Sequence, residues 1–199
     1  MKPIKLFFIL FIINIGLQSW TKADDIGEFE IEGMAVGDSL LKYYKKKLID
    51  EEKFFNYDST EMYSFYQTKN LKIYDEIEVN FKNKDNKYII QAIAGIEHIG
   101  INECLKKKKI ITDELNSLFN SISEDYIHEY DNNYLAAGTN KTFTSISRAH
   151  VSDWDLSNGD MVRVWCSEWG DDVKKENNWN NELHVKIQNS TWMNFLKKQ

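Results

Sequence analysis

Between residues 60 and 100 the chain offers one strand signal after another, with no helical stretch to separate them. In "YDEIEVNFK", from Tyr74, the apolar residues Ile77, Val79 and Phe81 alternate strictly with polar ones, the pattern of a half-buried strand. "NKDNK", from Asn83 to Lys87, is a turn, and "YIIQAIAGIEHI", from Tyr88, is apolar enough for the centre of a sheet. Parallel neighbours need a crossover of a dozen or more residues, whereas a tight turn is enough for antiparallel ones. The sheet is therefore antiparallel, and a doubly wound α/β fold is excluded.

The rest of the chain supplies the layer that such a sheet packs against. Phe29 and Ile31 alternate with glutamates as a short strand, and "EMYSFYQ", from Glu61, reads as another. From Ser39 the period becomes helical, with Leu40, Leu41, Tyr44 and Leu48 on one face and Lys42, Lys45 and Lys46 on the other. Asn102 caps a longer helix whose buried face carries Cys104, Ile111, Leu115, Leu118, Phe119 and Ile122, leaving Lys106 to Lys109 to solvent. Residues 125 to 141 read as a loop. In the last third, "TFTSISRAHVSDW" and "DMVRVWCSEW" flank Ser157-Asn158-Gly159, a strong hairpin signal, and Leu183, Val185 and Ile187 form a final strand. Ser190 is placed to cap a last short helix. The expectation is a single α+β domain over 24–199, an antiparallel sheet with two main helices packed on it.

Lys2 and Lys5 precede the 12-residue apolar run Leu6 to Leu17, and Thr21 and Ala23 stand three and one residues before a cut. Residues 1–23 thus read as a signal peptide, since a membrane-spanning helix needs about 20 apolar residues. The expected location is periplasmic or secreted, with no membrane span after cleavage. Losing Lys2, Lys5 and Lys22 lowers the 25 basic residues to 22 against 31 acidic ones, a net charge of −9. Nucleic acid is a poor partner for such a chain, because affinity for the phosphate backbone rests on basic residues. Only two cysteines occur, Cys104 and Cys166, and an even count in an oxidising compartment predicts one disulfide between helix and sheet.

Several letters invite a functional reading. If Val162, Val164 and Cys166 face the helix, Arg163, Trp165 and Trp169 face the other way, where they could bind a ligand. "DWDLSNGD", from Asp153, resembles a calcium loop but carries glycine seventh and Val164 twelfth, so it reads as a hairpin tip. His98, His128, His150 and His184 show no zinc spacing. No metal and no cofactor is expected.

Gly37-Asp38-Ser39-Leu40 resembles the motif of the GDSL esterases and lipases, in which the serine is the nucleophile. Asp125-Tyr-Ile-His128 resembles the Asp-x-x-His block of that family, and Gly138-Thr-Asn140 part of its Gly-x-Asn-Asp block. Membership would imply a serine esterase using Ser39, Asp125 and His128. The blocks stand in the wrong order, however, and position 141 is lysine where the family has aspartate. Asp38 as a helix N-cap and Gly37 as a permissive turn residue explain the same letters. A wider resemblance covers "FEIEGMAVGDSLLKYY", "VNFKNKDNKYIIQAIAGI", "INECLKKKKIITDELNSLF" and "VWCSEW", which in this order are similar to a set of uncharacterised small exported proteins of AT-rich marine bacteria. It implies a strand-to-helix junction at Gly37-Asp38-Ser39. The expected role is a non-catalytic binding or interaction module of the cell envelope, its partner an envelope protein, a glycan or a small ligand.

Overall fold

The computed structural model describes residues 26–55, 61–119, 121–135 and 141–199. The proposed signal peptide and the Gly138-Thr139-Asn140 block lie outside these residues. The chain begins with a hairpin, β1 (Glu30–Ile31) against β2 (Met34–Ala35), turned by Glu32 and Gly33, both at positive φ. The main sheet follows: β3 (Phe54–Phe55), β4 (Met62–Gln67), β5 (Glu76–Lys82), β6 (Ile90–His98), β7 (Glu124–Glu129), β8 (Arg148–Asp155), β9 (Met161–Glu168) and β10 (Glu182–Gln188). The eight strands lie in the order β3-β4-β5-β6-β10-β9-β8-β7, every pairing antiparallel.

The helices are α1 (Lys46–Glu52), α2 (Ile101–Phe119), α3 (Asn132–Leu135), α4 (Asp171–Asn177) and α5 (Ser190–Leu196). One face of the sheet holds Ile77, Val79, Phe65, Ile93, Val162, Val164, Leu183 and Ile187, and α2 and the N-terminal segment cover it. Cys104 on α2 and Cys166 on β9 are bonded, their Cα atoms 5.9 Å apart, and fasten the helix layer to the sheet. The fold is α+β, as the strand succession requires. Over part of the opposite face, Trp192 and Phe195 of α5 cover Met62 and Ala92.

Six local expectations need correction. The helix read from Ser39 through Leu48 is two pieces, a 3₁₀ turn over Leu40–Lys42 and then α1, separated by Lys45 in extended conformation. Leu40 and Ile49 are both fully buried, yet nine residues apart they would face opposite ways on a straight helix at about 100° per residue. The break turns both inward. The cap also differs: the Ser39 hydroxyl accepts from Leu41 N at 3.3 Å and donates to Lys87 O at 2.5 Å, while Asp38 pairs with Lys42 and Tyr43. In the last helix Asn189 is the N-cap, its side chain accepting from Trp192 N, and Ser190 is the first helical residue.

On α2 the buried residues are Cys104, Thr112, Leu115 and Phe119, whereas Leu118 is exposed and Ile122 lies beyond the helix in solvent. The lysine run is not a uniform wet face. Lys107 reaches Glu97 at 2.5 Å and Lys108 hydrogen-bonds the buried Ser152, so burial lowers the Lys108 pKa. The stretch read as a loop opens instead inside β7 (Glu124–Glu129), an edge strand exposed along its length. The Asn-Gly hairpin stands as read, with Gly159 at positive φ and its N–H donating to Leu156 O.

An aromatic row as the candidate functional site

The register assigns each side chain to a face. Lys186 pairs with Arg163, His184 with Trp165 and Glu182 with Ser167, so these residues stand side by side on the face away from α2. Asp153 opposite Arg163, and Val151 opposite Trp165, extend the same row to β8, and Tyr126 extends it to β7. The outward orientation expected for Arg163 and Trp165 follows from this alternation, while Trp169 lies one residue past the end of β9. Their surroundings, however, differ from one to the next.

Arg163 is a bidentate partner of Asp153, with Nε at 2.7 Å from one carboxylate oxygen and an NH2 nitrogen at 2.6 Å from the other. The phenol of Tyr126 joins the pair, donating to Asp153 at 3.0 Å and accepting from Arg163 at 3.0 Å. Three of its five N–H donors are thus engaged, and the pair holds the sheet face together. Trp165 is half-buried and lies flat on the His184 ring, 4.2 Å between centroids and 9° between planes. Behind His184 stands a polar pair: Glu182 accepts from its Nε2 side at 2.9 Å and faces His98 at 3.4 Å. Glu76 lies in the same neighbourhood. Burial pushes its carboxyl up, opposed by His98 and reinforced by Glu182 and Glu78.

Further along the face, Lys186 and Glu78 form a buried ion pair at 3.1 Å, and the Lys186 ammonium lies 5.1 Å from the Trp192 ring centroid. Burial works against the Glu78 charge, but Lys186, Asn80 and Ser64 outweigh it and hold the carboxyl low. This is internal structure under α5, not binding surface.

Trp169 closes the row at the other end. Its ring stacks on Tyr130 at 4.9 Å and meets Trp179 at 4.8 Å, and His128 packs edge-on against Tyr130 at 5.4 Å. The buried indole Nε1 of Trp169 meets no acceptor among the described residues. Trp179 is the exposed member, with 40% of its surface free. Sequence reasoning missed it, although its neighbours gave a signal: Asn177-Asn178-Trp179-Asn180-Asn181 carries one large aromatic among amides just before a strand.

The structure does not bring Ser39, Asp125 and His128 together. Ser39 bridges Ile89 at the head of β6, and its hydroxyl is engaged by Lys87 and Leu41. His128 is on β7, four strand positions away, about 19 Å at the usual spacing of about 4.8 Å. Asp125 and His128 are three apart on a strand and so point to opposite faces. The same Asp-x-x-His spacing on a helix would have put them side by side.

Other features are self-contained. A cleft of about 800 Å³ lies where Tyr43, Tyr44 and Leu48 meet the residues after β4, with lysines and glutamates on its walls. Its Glu32 carboxylate already accepts from the backbone N–H groups of Lys72, Ile73 and Tyr74 at 2.7 to 2.9 Å. Among the described residues, no three His, Cys, Asp or Glu side chains converge to hold a metal ion, and no helix is long and apolar enough to cross a membrane. No family model, no curated protein and no solved structure matches this chain.

Proposed function

We propose that the protein is an exported, non-catalytic binding module of the cell envelope, periplasmic or secreted, and that the aromatic row ending in Trp179 seats its partner. The observation that carries this reading is the stack of Tyr130, Trp169 and Trp179, in which two inner rings support an outer one that faces solvent. Large exposed aromatics on a rigid base provide contact area at low conformational cost, the usual make-up of a binding hot spot. The N-terminal segment and the bonded cysteine pair support the export half of the reading.

The test is capture from an envelope extract by the tagged protein, compared with Trp165→Ala, Trp169→Ala and Trp179→Ala. Retention lost in the Trp179 variant, at an unchanged thermal melt, is the expected result. Serine-dependent hydrolysis of short acyl esters, abolished by Ser39→Ala, would instead sink the non-catalytic reading.

A further inference from the structure

The tip Asn178-Trp179-Asn180 is exposed at all three residues, yet it is anchored from both sides. Before it, Asn178 ends α4 in the left-handed conformation, and the N–H groups of Asn178 and Trp179 both turn back to Lys174 O. After it, Asn181 accepts twice: its carbonyl from Ile99 N at 3.1 Å, and its side chain from Trp169 N at 3.0 Å. Trp169 supports the indole from within at 4.8 Å. A tip held in this way loses little freedom when something binds to it.

We propose that Trp179, backed by Trp169 and flanked by Asn178 and Asn180, is the subsite for a pyranose ring of an envelope glycan. This deepens the binding-module reading and rests on it. The tip offers a flat ring next in sequence to two exposed amide side chains. An indole face is electron-rich and attracts the weakly positive C–H groups on one side of a sugar ring. A primary amide both donates and accepts, which matches hydroxyls that do the same. A purely apolar partner would strand these amides without water.

The experiment titrates the purified protein with chitotetraose and, separately, cellotetraose, followed by tryptophan fluorescence and calorimetry. Saturable binding to at least one of them is expected. Trp179→Ala should weaken it by about tenfold or more, the scale of one lost stacking contact, and Trp179→Phe should recover part of the loss. Asn180→Ala, which alters only an exposed side chain, should weaken it by about threefold and serves if Trp179→Ala fails to melt cooperatively. Absence of saturable binding to both sugars overturns the proposal. So does sugar binding indifferent to Trp179→Ala or Asn180→Ala, and so does Trp179-dependent binding to phospholipid vesicles without sugar binding. Capture from envelope extract that still depends on Trp179, without sugar binding, overturns the glycan and leaves the binding module standing.

Discussion

Removing the Ser39 hydroxyl takes away the acceptor for Leu41 N and the donor to Lys87 O in one step. A lost N-cap costs about 0.5–2 kcal/mol, so Ser39→Ala should fall within that range in a denaturant melt. Asp38→Ala removes a surface contact with Lys42 and Tyr43 and a long bond from Ala35 N at 3.4 Å, and surface ion pairs contribute about 0–1 kcal/mol. Ser39→Ala is therefore expected to be the more damaging, and equal melts would contradict the cap. Gly95 is constrained in a different way. A Cβ built there would lie 2.5 Å from the Tyr74 ring, so the strand can approach that ring only without a side chain. Gly95→Ala should displace Tyr74 and cost about 1–3 kcal/mol as an overpacked core, measured by the same melt.

Among elements, β10 carries the buried pair that is most sensitive to change. Lys186→Met would leave Glu78 under α5 without its cation, and breaking such a pair costs about 3–5 kcal/mol. Replacing both partners by apolar residues of similar size should cost much less, and a double-mutant cycle would show the difference. The elements differ in how plainly the sequence announces them. β5, β6 and β9 alternate or run apolar because the sheet face dictates every second residue, and they were readable for that reason. β7 was not: at the edge, with all six residues exposed, "EDYIHE" has no buried side to impose a pattern. The break at Lys45 was equally hidden, because the positions around it fit one helical face and only the burial of Ile49 reveals the turn. The aromatic site was half legible. Alternation on β9 gave Arg163 and Trp165 their direction, but Trp179 lies after α4 in a loop with no period, and only the fold sets it against Trp169.

At the scale of the whole molecule, the disulfide and one carboxylate respond to solution conditions. The bonded cysteines are 62 residues apart, and closure of such a loop is worth about 4 kcal/mol in the chain-entropy model. Reduction under mildly denaturing conditions should lower the midpoint accordingly, and a Cys104→Ala, Cys166→Ala variant should match the reduced protein. Asp172 ties the coil before β8 to α4. The Ser145 hydroxyl, then the Thr144 amide, with further bonds from the Ser145 amide and Thr144 hydroxyl, hold its carboxyl far below the usual range. A depressed folded value means stabilisation that is complete above the ordinary carboxylate pKa of about 3.9 and lost as the pH falls below it. Asp172→Asn should be less stable than the parent at neutral pH, and its melts should decline less steeply between about pH 4 and pH 2.

The strand order has a further consequence, in time instead of space. β6 and β9 are not neighbours; β10 lies between them, paired to both along its whole length. The two halves of the sheet thus meet only through residues 182–188, which follow every other described strand of the sheet. Until that segment arrives, β6, the most apolar strand, presents an open edge, while Cys104 and Cys166 are both already available to bond. A chain delivered N-terminus first therefore waits with this seam unzipped until β10, made after the other strands of the sheet, closes it.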